Sequence, residues 1–181
     1  MRKIVHKIVM VLAVLSPVLA AWGAHAASLN IVALGASNTA GRGQGAHPGG
    51  VEKNQAYPAQ LEALLRTKGY DAHVTNAGIA GDTTGGMLAR LDKAVPNGTQ
   101  IVILQTGGND ARKGVGGEAG GNTATITSKL QARGIKVILL DRISAYANNS
   151  TRDPDGQHYN AQGHAAIAAG LLPKVIAAAG K

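Results

Sequence analysis

The sequence predicts an α/β domain, a three-layer sandwich around a parallel sheet of four or five strands. Three observations lead there. Short apolar runs suited to buried strands alternate along the chain with longer segments of helical spacing. Glycine follows most of these segments and ends them. The stretches between successive strands are long enough for crossover helices, which parallel pairing requires.

Each element follows in order. The run LNIVAL (29–34) stops at Gly35 and predicts the first strand; AYPAQLEALLRTKG (56–69) places Leu61, Leu64 and Leu65 at helical spacing before Gly69. AHVTNAG (72–78) predicts the second strand and GGMLARLDKAV (85–95) the second helix. QIVILQTGG (100–108) predicts the third strand, NTATITSKLQARG (122–134) a helix, and KVILLDR (136–142) the fourth strand. A loop leads to a last helix in NAQGHAAIAAGLLPKVIAAAG (160–180). Glycine-rich stretches at 41–50 and 111–121 read as flexible loops. No internal repeat or linker divides the chain.

The first 26 residues read as an export signal. Arg2, Lys3 and Lys7 form a basic start, 8–21 is apolar, and Ala24-His25-Ala26 is a small-x-small cleavage site. Cleavage there leaves residues 27–181 as one domain with a single core, in the periplasm or the medium, with no stable membrane insertion. The chain has no cysteine, which excludes disulfides, a lipid-bearing cysteine and thiolate catalysis. Loss of the signal lowers the formal charge from +8 to +5, and the remaining cations are scattered without interleaved aromatics. That pattern is a solvated surface, not a nucleic-acid site.

In an open parallel sheet, ligands bind beyond the carboxyl ends of the strands. The first strand ends at GASN (35–38), the second at NAGIAGD (76–82) and the third at TGGND (106–110); DPDGQH (153–158) precedes the last helix. Together these loops hold every residue type that acyl transfer needs. Ser37 is the candidate nucleophile, His158 its general base and Asp155, three residues earlier, the acceptor that orients the imidazole. A backbone amide can approach a developing oxyanion closely where side chains are absent, as at Gly81, and Asn109 can add a side-chain donor. Gly35 and Ala36 permit a sharp exit from the strand that leaves the Ser37 amide facing substrate as a further oxyanion donor.

These blocks resemble the SGNH or GDSL hydrolases, whose four name-giving residues have counterparts in order: Ser37 in GASNTAG, Gly81 in NAGIAGDTT, Asn109 in GGND and His158 in DGQH. The resemblance covers essentially all of residues 27–181. It implies a flavodoxin-like sandwich, no metal or cofactor, and hydrolysis of short-chain carboxylic or thioesters through an acyl-enzyme, with Asp155 completing the triad. Small exported arylesterase and thioesterase-like members are the most similar. Two departures stand out. Ala36 replaces the family's usual aspartate, so a loop-bracing bond from that side chain is absent. Only residues 142–157 separate the fourth strand from His158, which favours four strands in the order 2-1-3-4 over five.

Other polar residues receive structural roles. Asn76 and Asp82 are expected to brace the second loop, and Asp110 either to brace or to contact substrate. His164, six residues after His158, is expected on a different helix face and at the surface, which excludes a metal pair. His47 and His73 have no evident partners. The 41–50 stretch lacks the lysine and hydroxyl of a phosphate-cradling loop. Carbohydrate O-acetylesterase activity is the enzymatic alternative, and a non-catalytic carbohydrate-surface module the alternative from another class.

Overall fold

The computed structural model describes residues 28–42 and 49–180. Among these, a parallel sheet has four strands, β1 (Leu29–Gly35), β2 (Ala72–Gly78), β3 (Ile101–Leu104) and β4 (Lys136–Leu139), in the order β2-β1-β3-β4. The order is the one expected, and the strand number is four. After β4 the chain makes two 3-10 turns, Ile143–Ala145 and Asn149–Thr151, instead of another strand.

Alternation along the strands builds two cores, one on each face of the sheet, in place of the single core expected. Ile31 and Ala33 of β1 and Ile101 and Ile103 of β3 point to one side. There they meet Tyr57, Leu61 and Leu65 of helix α2 (Tyr57–Thr67) and Ile167, Leu171 and Val175 of helix α7 (Ala161–Ala179). Val32, Leu34, Val102 and Leu104 point to the other side. They pack on Met87 of α3 (Thr84–Ala89), Leu91 of α4 (Leu91–Ala94), and Ile126 and Leu130 of α6 (Ala119–Ala132). This is the expected three-layer α/β sandwich. Two short helices, α1 (Ser37–Ala40) and α5 (Asn109–Arg112), lie at the carboxyl ends of β1 and β3.

Two segments differ from the sequence expectation. The helix expected over 85–95 is broken at Arg90, whose backbone (φ −104°, ψ 10°) separates α3 from α4. Its side chain is held by Asp82 (2.8 Å) and the Gly35 carbonyl (3.2 Å), so loop anchoring overrides helical periodicity. The 111–121 stretch is largely ordered into the end of α5, a 3-10 turn (Gly116–Glu118) and the first turn of α6. Burial of Ile126 and Leu130 outweighs the roughly 1 kcal/mol that each helical glycine costs. The segment at 1–26 expected to be an export signal lies outside the described residues. Among those described, no helix is long and apolar enough to cross a membrane.

Candidate active site

Ser37 is the first residue of α1, directly after the β1 exit. The close seat of α1 on the sheet follows from two glycines in register at the strand ends, Gly35 and Gly78. A Cβ on Gly35 would run into the Thr39 hydroxyl, and one on Gly78 into the backbone of Ala40. As the first helical residue, Ser37 has an N–H that the helix itself does not use.

The bond missing at Ala36 is replaced from the neighbouring strand. Gln105, buried just beyond β3, accepts from the Ala36 amide (3.0 Å) and the Thr39 hydroxyl (3.2 Å). Thr39 in turn shares a hydrogen bond with the Tyr57 hydroxyl (3.1 Å). Burial pushes the Tyr57 phenol above its usual range, against the smaller opposing effect of the Thr39 bond, so the relay stays protonated at neutral pH. The elbow is therefore braced by side chains that sequence reasoning passed over, although Gln105 was visible as a polar residue closing an apolar strand.

The DPDGQH segment folds on itself. Asp153 N–H donates to the His158 carbonyl (2.8 Å), while Asp155 Oδ1 accepts from the amides of Gln157 (2.9 Å) and His158 (3.0 Å). The other oxygen, Oδ2, accepts from His158 Nδ1 at 2.5 Å. With that nitrogen donating, Nε2 is left to accept from Ser37 Oγ, 2.8 Å away. Desolvation opposes ionisation of Asp155, but the side-chain bond from His158, the two amide bonds and the imidazole's charge together hold its carboxyl well below the usual range. Arg42, also missed from sequence, spans the two halves: its backbone N–H donates to the Ser37 carbonyl (2.8 Å), and its Nη1 lies 3.2 Å from Asp153 and 3.0 Å from Asp155.

Across the cleft stand Gly81 and Asn109. Gly81 adopts φ +77°, a left-handed conformation suited to glycine. The Asn109 amide nitrogen donates to the Asp82 carbonyl (2.7 Å), tying the second loop to the third, and its oxygen accepts from Arg112 Nη2 (2.8 Å). The amide has a second N–H, so one donor can still meet a ligand. Asp82, Asn76 and Asp110 brace these loops: Asp82 holds Arg90 and the Thr83 amide, Asn76 the Gly78 amide, and Asp110 the amide and hydroxyl of Thr84. Ser37, Gly81, Asn109, Asp155 and His158 share one cavity of about 380 Å³, completed by Arg42, Ala80, Arg112 and Gln157. A larger cavity of about 580 Å³ beside α6 and the end of β4 contains none of the five.

His164 is not at the surface. It is buried, its Nδ1 accepts from the Tyr57 amide (3.2 Å), and its ring stacks on Tyr57. The phase argument from His158 failed because His158 precedes α7, whereas Ile167, Leu171 and Val175 mark the buried stripe that His164 joins. His73 also has neighbours, Arg66 at 3.3 Å and Asp71 at 3.8 Å. His47 lies outside the described residues. Burial lowers the His164 pKa from 6.5 to about 4, with Asp153 opposing and His158 assisting. Between those values the unfolded chain takes up a proton that the folded chain does not, so stability falls as pH drops through this window and levels off below it. His164→Asn, which keeps an acceptor for Tyr57, is expected to flatten that part of the profile, measured as urea midpoints from pH 7 to 4.

Comparison with known proteins agrees with the fold and the family resemblance. The model of the GDSL-like lipase/acylhydrolase family matches residues 33–171, from β1 to α7. The chain is 38% identical over 93 residues to esterase TesA of Pseudomonas aeruginosa, covering 50% of this chain and 46% of that protein. It is 31% identical over 88 residues to an arylesterase of Vibrio mimicus, covering 48% and 44%. These matches span under half the length of either relative. Among solved structures, AlinE4, an SGNH-hydrolase family esterase, is 37% identical with a TM-score of 0.54 over 62% of this chain and 58% of that one. The esterase EstA from Pseudoalteromonas sp. shares the fold, with a TM-score of 0.71 over 84% and 99% of the two chains at 18% identity. Because the family match spans most of the chain and all four sequence blocks, the chain belongs to the GDSL-like lipase/acylhydrolase family.

Proposed function

We propose that this protein is an exported serine esterase that hydrolyses short-chain carboxylic or thioesters through an acyl-enzyme. The observation that carries the reading is the continuous chain of bonds from Ser37 Oγ to His158 Nε2 and from His158 Nδ1 to Asp155. Ser37 Oγ attacks the acyl carbonyl while His158 Nε2 takes its proton. The amides of Ser37 and Gly81 and the free N–H of Asn109 stabilise the oxyanion. Collapse of the intermediate breaks the ester bond, and the leaving alcohol or thiol receives the proton from His158. Water then attacks acyl-Ser37, His158 again takes a proton, and the carboxylic acid leaves with Ser37 restored. The direct test is the enzyme's mass during turnover of a p-nitrophenyl ester. A gain of one acyl group on the peptide containing Ser37 supports the mechanism; turnover with no such adduct under rapid acid quench, and no burst of nitrophenol, overturns it.

The cleft lining also bears on acyl length. Among the described residues Ala80 and Gly81 are its only apolar lining, so little area is available to bury an alkyl chain at about 0.8 kcal/mol per methylene. Acetate to hexanoate esters are expected to be preferred, without activation at a lipid interface. An optimum of kcat/KM at dodecanoate or longer would refute this.

Export is tested by an accident of composition. Trp22, the only tryptophan, precedes the cleavage site proposed after Ala26. Protein recovered from the periplasm or medium should therefore lack indole emission; a clear tryptophan signal would mean that the segment is retained.

A further inference from the structure

The cavity around Ser37 is uneven in charge. On one wall Asp153 and Asp155 share the cation of Arg42, and Asp155 also accepts from His158 Nδ1. The opposite wall carries Arg112 and Lys113, both exposed. Arg112 lines the same cavity as Ser37 and Gly81, and Lys113 Nζ stands 3.9 Å from where a Cβ on Gly81 would be. Neither cation pairs with a carboxylate among the described residues. Arg112 gives one N–H to the neutral oxygen of Asn109, and four of the five guanidinium donors remain. Two uncompensated cations therefore flank the glycine and asparagine that would receive the oxyanion. Cations at a helix end favour its carbonyls, but α5 has only four residues and a correspondingly small dipole.

We propose that Arg112 and Lys113 form an anion subsite, and that the preferred substrate is an ester carrying a carboxylate or phosphate group close to the scissile bond. The inference rests on ester hydrolysis at Ser37 as proposed above. A guanidinium matches the paired oxygens of either group, and an ammonium beside it adds a point charge. A neutral ester of the same size leaves both cations hydrated and gains nothing from them. Arg112 has a second part as a positioning residue, because it fixes which way the Asn109 amide faces. That part affects charged and neutral esters alike.

The test compares kcat/KM for matched pairs: 4-nitrophenyl hemisuccinate against its methyl ester for charge on the acyl side, and 4-acetoxybenzoate against its methyl ester for charge on the leaving side. A third substrate, 4-acetoxyphenyl phosphate against phenyl acetate, separates phosphate from carboxylate. Each ratio is corrected for the rates of alkaline hydrolysis. At low ionic strength the wild type is expected to favour at least one charged member by about 10-fold or more, and salt at about 0.5 M should erode the preference. Lys113→Gln should reduce that ratio, and Arg112→Gln with Lys113→Gln should abolish most of it. Loss of Asn109 positioning cancels in the ratio, so it cannot imitate the effect. No preference in the wild type, or a ratio unchanged in the double variant, overturns the subsite while leaving the esterase reading intact. Inactivity toward every ester, neutral ones included, overturns both.

Discussion

Ser37→Ala is expected to lower kcat/KM on a short-chain p-nitrophenyl ester by more than about 10³-fold while the fold survives. Only one atom is removed, and its hydrogen-bond partner is the imidazole of His158. The residue opens α1 at a partly buried position, where alanine is an excellent helix former. The seat of α1 depends on Gly35, Gly78 and Gln105, none of which the substitution touches. Circular dichroism and the melting midpoint should therefore match the wild type. Asn109→Ala should cost about 10² to 10³-fold through one lost oxyanion donor. A Ser37→Ala protein that keeps a tenth of the wild-type rate would remove serine catalysis from consideration.

Asp155→Asn should lower kcat by about 10² to 10⁴-fold, whereas Asp153→Asn should leave most of the activity. The two residues differ in what they hold. Asp155 accepts hydrogen bonds from His158 Nδ1 and from both amides that shape the turn. An asparagine there can turn its NH2 toward the ring, which reverses the tautomer and leaves Nε2 protonated against Ser37. The side chain of Asp153 pairs instead with Arg42, at 3.2 Å. Its loss still leaves Arg42 bonded to the Ser37 carbonyl and paired with Asp155. The reverse ranking of the two variants would dismantle the triad proposed here.

Much of this arrangement was legible in the chain itself. Strand alternation and glycine stops are local signals, and they led to parallel pairing and the layered class; the β2-β1-β3-β4 order came from the family resemblance together with the short 142–157 segment. The five residues now found around one cavity were drawn from loops that the strand-end rule had already gathered. What escaped was whatever depends on partners distant in sequence. Gln105 braces Ala36 across a gap of 69 positions, and Arg42 reaches Asp153 across 111. His164 is buried because α2 lies over it, which no count of residues from His158 could reveal. The break at Arg90 belongs to the same class, since it answers to an aspartate in the preceding loop and to the end of β1.

The tight seating of α1 has a consequence for any unbiased search for functional positions. Gly35 and Gly78 supply no group to the reaction, yet a single added methyl at either would push against the helix that carries Ser37. Gly86 stands in the same relation to Asp82, whose loop leads into α3. A saturation library scored only for lost esterase activity would therefore rank these three glycines beside Ser37, His158 and Asp155. Scoring the same library for soluble protein or melting temperature would split the group: substitutions that remove chemistry would leave both unchanged, and substitutions that add atoms under the nucleophile would lower them.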